Sequence, residues 1–447
     1  MSLATPAPVT FRTVEDATGD APLPVLGADV RVPGADAVTY AALDYAASAP
    51  VLRRVWDDVA SYAPYYGSVH RGAGYLSRLS TELFEQSRAT VGAFLGCRPD
   101  DEVVFTRSTT DSLNLLAGAL PEGTRVFVFA SDHHAALLPW RGRDTHWLDV
   151  PRSPREAVGL LEEALRGAGP GPALVCVTGA SNVTGELWPV AELAAVAHRY
   201  GARVVLDAAQ LAPHHPVDVG ALDVDYVAFS GHKLYAPFGA GVLAGRADWL
   251  RAAEPYLAGG GASRAVARAA DGSVSAEWHA TAARHEAGSP NVIGAYAIAS
   301  ACRALTEAGF DRLLERERRL LARLRTGLAE LPGVRVLALF GPEAERVGVV
   351  SFTVDGWSCR DFAAALASEY GIGVRDGLFC AHPLLRALLG AGDAVPGECG
   401  GEPGPGGREL GAVRVSFGVG TPEEHIGRFL TATAELLRRG PSGVSAA

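Results

Sequence analysis

The segment "ARVVLDAAQLAPHHPVDVGALDVDYVAFSGHK" (residues 202–233) contains two short apolar runs, and each of them leads to a polar or charged side chain. The first run ends at Asp207, and the second leads through serine, glycine and histidine to Lys233. Apolar runs as short and continuous as these are typical of strands that are buried on both faces of a parallel sheet. Because ligands bind beyond the carboxyl ends of such strands, we expect Asp207 and Lys233 to face one crevice.

The same alternation of apolar runs and amphipathic helices extends over much of the chain. Helical patterns such as "DSLNLLAGAL" and "VAELAAVAHRYG" separate several of the runs. Continuous apolar strands with helices between them predict an α/β fold, in which a mostly parallel sheet is covered on both faces. The runs predicted to be strands are "DEVVFT" (101–106), "TRVFVFA" (124–130), "PALVCVTG" (172–179), "ARVVLDAA" (202–209), "VDYVAFS" (224–230) and "GAGVLAG" (239–245).

A second, smaller α+β unit is predicted for the C-terminal part of the chain. It begins with a long amphipathic helix over residues 310–331 and continues with the strand runs "VRVLALF", "VGVVSFTV" and "GAVRVSFGV". The glycine- and proline-rich segment 390–411 is predicted to be a mobile loop. We therefore expect an N-terminal arm over 1–50 that packs with the small domain, a large domain over 51–305 and a small domain over 306–447.

The composition indicates a large soluble chain. Its 447 residues are 48% hydrophobic, which suits two or three domains with a large core. The net charge of −10, without a basic run that contains aromatic residues, argues against nucleic-acid binding. No apolar run approaches the roughly 20 residues of a membrane helix, and the N-terminus lacks the pattern of a signal peptide. We therefore expect neither a nucleic acid nor a membrane as a partner.

The cysteines point to a reducing compartment. They show neither paired spacing nor a CxxC motif, so the sequence predicts no disulfide framework and no metal site. We expect the protein to be cytoplasmic. The six positions are Cys97, Cys176, Cys302, Cys359, Cys380 and Cys399.

Lys233 is the only lysine in the sequence, whereas arginine is abundant. Arginine can replace lysine as a surface cation, but it stays protonated and cannot act as an amine nucleophile. The chain uses arginine at every other basic position apart from histidine. A single lysine directly after a predicted strand therefore indicates that its amine is required for chemistry.

Other polar groups follow neighbouring strands. Ser108, Thr109 and Thr110 stand where a strand turns into a helix, and the N–H groups of a helix start together with hydroxyls suit a phosphate. His133 and His134 follow another strand. A lysine, an acid and a phosphate cradle in one cleft match the needs of pyridoxal 5′-phosphate. The lysine forms a Schiff base, the acid keeps the pyridine nitrogen protonated and the cradle holds the phosphate.

With these motifs the sequence resembles the fold-type I, class V aminotransferase group, and within it the cysteine desulfurase and selenocysteine lyase branch. The resemblance covers about residues 40–435 and implies a large domain with a mostly parallel seven-stranded sheet plus a smaller α+β C-terminal domain. The motifs that carry it are "LDYAASA" (43–49), "GSVHRG" (67–72), "STTDSLN" (108–114), "DHHAALLPW", "SNVTGE" (181–186), "LDAAQLAPHHPVDV" (206–219), "FSGHKLYAPFGAGVL", "RHEAGSPN" (284–291), "GIGVRDGLFCAHPL" (371–384) and "VRVSFGVGT" (413–421).

The resemblance implies a set of cofactor-binding residues. Lys233 would form the covalent link to pyridoxal 5′-phosphate, His133 would stack on its ring, and Asp207 would pair with the pyridine nitrogen. The ring hydroxyl and the phosphate would be bound by Gln210, Thr109, Thr110, Ser230 and His232, with Asn182 nearby. Ser289 corresponds to a residue that reaches the phosphate of the neighbouring subunit, which implies a homodimer.

The substrate side is implied in the same way. Asn182 and Arg414 would hold the carboxylate of a small amino acid, while His70 and Arg375 would line the substrate pocket. Cys380 falls where desulfurases place the cysteine that takes sulfur as a persulfide, so Lys233, His133 and Cys380 would be the catalytic residues. The implied partners are L-cysteine or a related amino acid and a sulfur-acceptor protein.

Some residues near Cys380 depart from the family pattern. Leu378 and Phe379 stand where histidines are usual, and Ala136 and Gly420 each replace a common asparagine. The sequence therefore leaves three hypotheses. The first is a cysteine desulfurase that converts L-cysteine to L-alanine. The second is a class V enzyme of another type, such as a C–S lyase, an aminotransferase or an epimerase, that acts on a larger amino acid in a specialised pathway. The third is a non-catalytic binding or scaffold protein on the same fold.

Overall fold

The computed structural model describes residues 21–70, 72–391 and 410–441. The strands in this part of the chain are β1 (Asp29–Val32), β2 (Ala35–Thr39), β3 (Ala41–Ala42), β4 (Asp101–Thr106), β5 (Arg125–Phe129), β6 (Asp144–Leu148), β7 (Ala173–Thr178), β8 (Arg203–Asp207), β9 (Tyr226–Ser230), β10 (Gly241–Arg246), β11 (Ser263–Arg268), β12 (Val274–Trp278), β13 (Val334–Val336), β14 (Val349–Val354), β15 (Ile372–Gly373), β16 (Arg375–Gly377) and β17 (Ala412–Ser416).

The α-helices of the described residues complete the element order. They are α1 (Arg53–Tyr62), α2 (Tyr75–Phe94), α3 (Thr109–Ala119), α4 (His134–Leu137), α5 (Pro154–Ala168), α6 (Val190–Arg199), α7 (Ala247–Ala252), α8 (Val292–Ala308), α9 (Phe310–Ala329), α10 (Cys359–Tyr370), α11 (His382–Leu389) and α12 (Glu423–Arg439).

A seven-stranded sheet forms the larger part of the molecule, in the order β4-β10-β9-β8-β7-β5-β6. Strands β5 to β9 pair in parallel, and β10 runs antiparallel to both β9 and β4. Only residues 231–240 separate β9 from β10, which is too short for the crossover that parallel strands require. The predicted α/β fold with a mostly parallel seven-stranded sheet is confirmed.

Side chains along the central strands alternate between two apolar cores, one on each face of this sheet. In β8, Val204 and Leu206 pack into one core while Val205 packs into the other. In β9, Phe229 and Tyr226 likewise point to opposite faces. Since successive side chains of a strand point to opposite faces, a continuous apolar run is the sequence pattern that a sheet covered on both sides requires.

A second sheet, with the order β13-β14-β17-β16, is antiparallel throughout. Its core holds residues of α9, α10 and α12, which agrees with the predicted smaller α+β unit. The strand expected over "VRVLALF" is confined to Val334–Val336, and the helix expected over 310–331 ends at Ala329. The predicted mobile loop 390–411 lies mostly outside the described residues.

The described part of the predicted N-terminal arm contacts this second unit. Strand β3 pairs in parallel with β15, and the Ser416 N–H donates to the Leu43 carbonyl over 2.8 Å. The segment 41–49 thereby runs beside β17, and its Ala49 N–H donates to the His232 carbonyl, just past β9 of the larger sheet. The three domain boundaries themselves stay predictions.

Candidate active site

A cavity of about 250 Å³ lies where β4, β5, β7, β8 and β9 end. All of these strands run in the same direction, so the turns that follow them meet at one edge of the sheet. Twelve of the predicted site residues line this cavity, namely Thr109, Thr110, His133, Asn182, Asp207, Gln210, Ser230, His232, Lys233, Arg375, Cys380 and Arg414.

Two predicted site residues lie outside the lining of this cavity. The His70 imidazole is 3.0 Å from the Glu85 carboxylate on α2, and Ser289 is exposed in the segment before α8. Ser289 was predicted to act in a neighbouring subunit, so its place on the surface does not bear on that role. The roles of His70 and Ser289 stay predictions.

Lys233 and Asp207 form the charged centre of the cavity. The pKa of the Lys233 amine is lowered from 10.5 to about 8: burial is the largest cause, attraction to Asp207 opposes it and repulsion from Arg414 adds to it. Burial raises the pKa of Asp207, and the Ala209 N–H and Lys233 partly offset this effect. Close to pH 8 a large share of the amine is therefore neutral and nucleophilic.

The start of α3 and the end of β9 form a cluster of donors. Ser108 caps the helix by accepting the Asp111 N–H over 3.3 Å. The Thr109 N–H donates to Ser230 Oγ over 2.7 Å, and the Thr109 hydroxyl lies 2.8 Å from the same oxygen. With Thr110 exposed at the cavity, these hydroxyls and the helix start can hold an anion such as a phosphate.

His133 stands on the opposite side of the cavity as the cap of α4. Its Nδ1 accepts the Ala135 N–H over 3.0 Å, so the neutral ring carries its proton on Nε2. Burial lowers the pKa of His133 to about 3, and the charge of Lys233 contributes. The ring is therefore neutral at physiological pH, and its orientation is fixed by the helix start.

Arg414, on β17, is the buried cation of the cavity and is only 3% exposed. It donates to the Asn182 carbonyl and to Asp44 Oδ1, both over 3.0 Å, and its guanidinium carbon lies 4.9 Å from the centre of the Phe379 ring. Burial lowers its pKa, and the Asp44 carboxylate opposes that shift. The Arg414 Nε–H is buried without a partner among the described residues, so it can donate to a bound carboxylate.

Cys380 is exposed at the mouth of the cavity on an unusual backbone. Phe379 and Cys380 have φ values of 51° and 53°, a left-handed conformation that costs roughly 1–2 kcal/mol per non-glycine residue. The Asn182 side-chain amide donates to the Phe379 carbonyl, and the His134 N–H donates to the Cys380 carbonyl, each over 2.8 Å. These two contacts hold the turn in place.

The sequence reasoning missed three contributors to the site. Asp44 pairs with Arg414, Phe379 covers the guanidinium, and the Ala46 carbonyl accepts the Gln210 side-chain amide over 2.8 Å. One signal was available, because Asp44 is the only charged residue in the stretch 40–52. A lone acid in an apolar stretch needs a cationic partner.

Neither a metal centre nor a membrane span is found in the described ranges. No three His, Cys, Asp or Glu side chains within 21–70, 72–391 and 410–441 come close enough together to hold a metal ion. None of the helices in this part of the chain has the length and apolarity needed to cross a bilayer.

Comparisons with known proteins identify the family. The family model Aminotransferase class-V matches residues 41–429. Among the curated relatives, a cysteine desulfurase of Enterobacter sp. (strain 638) is 38% identical over 380 residues, which cover 82% of this chain and 89% of the relative. A cysteine desulfurase of Escherichia coli O8 (strain IAI1) is 34% identical over 383 residues, with 82% and 89% covered.

A solved structure agrees with these relatives. The cysteine desulfurase from Thermococcus onnurineus NA1 has a TM-score of 0.77 and 32% identity, over 89% of this chain and 95% of that one. The chain therefore belongs to the class-V aminotransferase family. It is an enzyme that depends on pyridoxal 5′-phosphate, as its single lysine and the acid beside it predict.

Proposed function

We propose that this enzyme is a cysteine desulfurase, which takes the sulfur of L-cysteine onto Cys380 and leaves L-alanine. The observation that carries the proposal is the exposed Cys380 thiol at the mouth of the cavity that also contains Lys233 and Arg414. The curated relatives named cysteine desulfurase, at 34–38% identity, support the same activity.

The cavity fits pyridoxal 5′-phosphate in its donor set. The hydroxyls of Thr109 and Ser230 and the start of α3 would hold the phosphate. Asp207 is a buried acid that accepts the Ala209 N–H, and it would pair with the protonated pyridine nitrogen. His133 would stack on the ring, and Lys233 would hold the aldehyde carbon.

The remaining cofactor contacts follow from the same arrangement. Gln210, fixed against the Ala46 carbonyl, would bind the ring hydroxyl, while Thr110 and His232 would complete the phosphate site. Bound pyridoxal 5′-phosphate supplies an electron sink for the pair that is left when the substrate Cα loses its proton.

Substrate binding would depend on the buried guanidinium of Arg414. Arg414 would hold the α-carboxylate through its Nε–H, and Asn182 and Arg375 stand beside it in the lining. The choice of L-cysteine over the larger substrates that the sequence left open rests on the curated relatives, which are named cysteine desulfurase.

Lys233 would act as the base once the substrate amine has taken its place. Its pKa of about 8 leaves Nζ able to remove the Cα proton near neutral pH. The neutral His133 ring adds no positive charge that would lower the basicity of the amine further. The proton held on Nζ is then available for return to the product carbon.

Sulfur transfer would take place at Cys380. Its thiolate attacks the substrate sulfur, so an S–S bond forms and the Cβ–S bond breaks, with the bonding pair left on the carbon skeleton. That skeleton takes up a proton and leaves as L-alanine, while Cys380 holds the sulfur as a persulfide. A thiol of an acceptor protein would then attack the outer sulfur and free Cys380.

Product analysis with a matched cysteine control tests the proposal. The holoenzyme should form alanine and protein-bound sulfur from L-cysteine, and Cys380→Ser should abolish both products. Cys97→Ser is the control, because Cys97 lies outside the cavity and burial raises its pKa to about 12. Pyruvate with ammonia would indicate β-elimination instead, and a 2-oxo acid together with pyridoxamine phosphate would indicate transamination.

We further infer that the enzyme is a homodimer. Several aromatic side chains are exposed on and beside α1 and at the start of α2, namely Trp56, Tyr65, Tyr66 and Tyr75. Exposed aromatic side chains are enriched at protein interfaces. Ser289 is also exposed and would reach the phosphate of the neighbouring subunit.

Mixed dimers test the role of Ser289. Ser289→Ala alone should weaken cofactor binding, and mixing it with Lys233→Ala subunits should restore binding at the intact lysine, since the partner then supplies the serine. Absence of restoration in a mixture that light scattering shows to be dimeric would contradict the shared site.

Location in the cytoplasm and transfer to an acceptor protein belong to the same proposal, and the free cysteines among the described residues agree with a reducing compartment.

A further inference from the structure

The turn that carries Cys380 belongs to a closed ring of three contacts. Arg414 donates to the Asn182 carbonyl over 3.0 Å, and the Asn182 side-chain amide donates to the Phe379 carbonyl over 2.8 Å. The Phe379 ring closes the circuit, because it lies 4.9 Å from the guanidinium carbon of Arg414. Cys380 follows Phe379 directly in the chain, so these three contacts hold the backbone next to the thiol.

We propose that Phe379 is the positioning residue that sets where the Cys380 thiol stands relative to a substrate held by Arg414. The inference rests on the proposed function, in which Cys380 receives sulfur. Phe379 touches the guanidinium with its side chain and carries Cys380 on its own backbone. It therefore links the carboxylate-binding group to the sulfur-accepting group through one ring contact and one peptide bond.

Burial and backbone geometry both support this role. Phe379 is only 7% exposed, whereas Cys380 is exposed, so the aromatic ring anchors a turn whose next side chain is open. The left-handed conformations of both residues are unfavourable for non-glycine side chains and persist only where the surroundings over-determine them. The anchors here are the ring contact with Arg414 and the two hydrogen bonds from Asn182 and His134.

Arg414 would keep its own position without the Phe379 ring. Its hydrogen bonds to Asp44 and to the Asn182 carbonyl remain when an aliphatic side chain replaces Phe379. Loss of the ring should therefore spare carboxylate binding and Cα proton removal by Lys233 but misplace the thiol. A general loss of folding would slow both Cα proton removal and sulfur transfer, so it would not give a loss of sulfur transfer alone.

The test follows both steps in the holoenzyme. Exchange of the Cα proton of L-alanine in heavy water, followed by NMR, reports substrate binding and the base. Persulfide on Cys380 in a single turnover with L-cysteine, followed by rapid quenching and mass spectrometry, reports sulfur transfer. Phe379→Leu should slow persulfide formation by about 100-fold, the order expected for a misplaced reacting group, and change the exchange rate by less than about twofold.

Three further variants define the comparison. Phe379→Met is a second aliphatic replacement that should behave as the leucine variant does. Phe379→Tyr retains the ring and should restore persulfide formation. Leu378→Met is the matched control in the same turn, because Leu378 does not line the cavity, and it should behave as the wild type does.

The contradicting outcomes are separable. Persulfide formation at the wild-type rate in both aliphatic variants would overturn the inference, and so would loss of exchange together with transfer. Absence of persulfide on Cys380 in the wild type, with alanine still formed, would overturn the proposed mechanism and the inference with it.

Discussion

The two halves of the active site are assembled in different ways. The cofactor side, around Lys233 and Asp207, is built from turns that follow neighbouring strands of one sheet. The substrate side joins Arg414 to Asp44 and Asn182, which lie far apart in the sequence and on different structural units. The cofactor side is therefore visible in short stretches of the sequence, whereas the substrate side forms only when the small sheet packs against the large one.

This difference has a chemical counterpart. Changes on the cofactor side should remove the chemistry itself, whereas changes on the substrate side should weaken the hold on the carboxylate or misplace the thiol. Four variants test this difference between the two sides of the site.

Lys233→Arg should have the largest effect. Arginine retains the charge but has no neutral amine to act as nucleophile or base, so alanine formation should fall by at least about 1,000-fold. The yellow absorbance of the lysine-bound cofactor should also disappear. As a control, added methylamine should restore part of the activity of Lys233→Ala. Turnover of the arginine variant within about tenfold of the wild type would contradict the role of Lys233 as the base.

Arg414→Gln should raise the KM for L-cysteine by about 100-fold, as expected for loss of a buried charge that binds a carboxylate. The cofactor absorbance should not change, because Arg414 belongs to the substrate side. Cysteamine, which has the same thiol and amine but no carboxylate, is the control ligand, and its binding should be unaffected. Equal losses for both ligands would show that Arg414 does not recognise the carboxylate.

Asp44→Asn should have a smaller effect of the same kind. The amide retains a hydrogen-bond acceptor for Arg414 but removes the charge, so the KM for L-cysteine should rise by about tenfold with kcat nearly unchanged. Steady-state kinetics measure both constants. A fall in kcat with an unchanged KM would place Asp44 outside carboxylate binding.

The smallest effect concerns stability and pH. The pKa of Lys233 is about 8 in the folded chain and 10.5 ordinarily, so the unfolded chain binds more protons between these values. Protonated Lys233 therefore destabilises the fold fully below pH 8, and this penalty is relieved as the pH rises towards 10.5. In the cofactor-free protein, Lys233→Met should raise the melting temperature at pH 7, by an amount that shrinks above pH 8. A constant difference across this range would contradict the lowered pKa.

Much of the large domain could be predicted because its pattern is local. Continuous runs such as "ARVVLDAA" suit strands covered on both faces, and the polar group after each run marks the edge where the cavity forms. Asp207, Lys233, Thr109 and Thr110 were located in this way, whereas the role of Ser230 was implied by the family resemblance. The antiparallel direction of β10 follows from the short connection that precedes it.

The substrate side was harder to predict, for physical reasons. No residue type marks Phe379 and Cys380 as left-handed, since glycine is the residue that normally signals this conformation. The partner of Asp44 is fixed by packing between β17 and the segment 41–49, which a local pattern does not report. The hairpin of β11 and β12 was also not predicted, because its strands are largely exposed and lack an apolar face.

The central claim is that the sulfur of L-cysteine passes to Cys380, and labelling tests it most directly. The wild-type holoenzyme is given one equivalent of L-cysteine labelled with radioactive sulfur, without a reductant, and is then digested without reduction. The label should be found on the peptide that contains Cys380, in proportion to the alanine formed. Alanine formed with the label released as free sulfide, or bound to another cysteine, would contradict it.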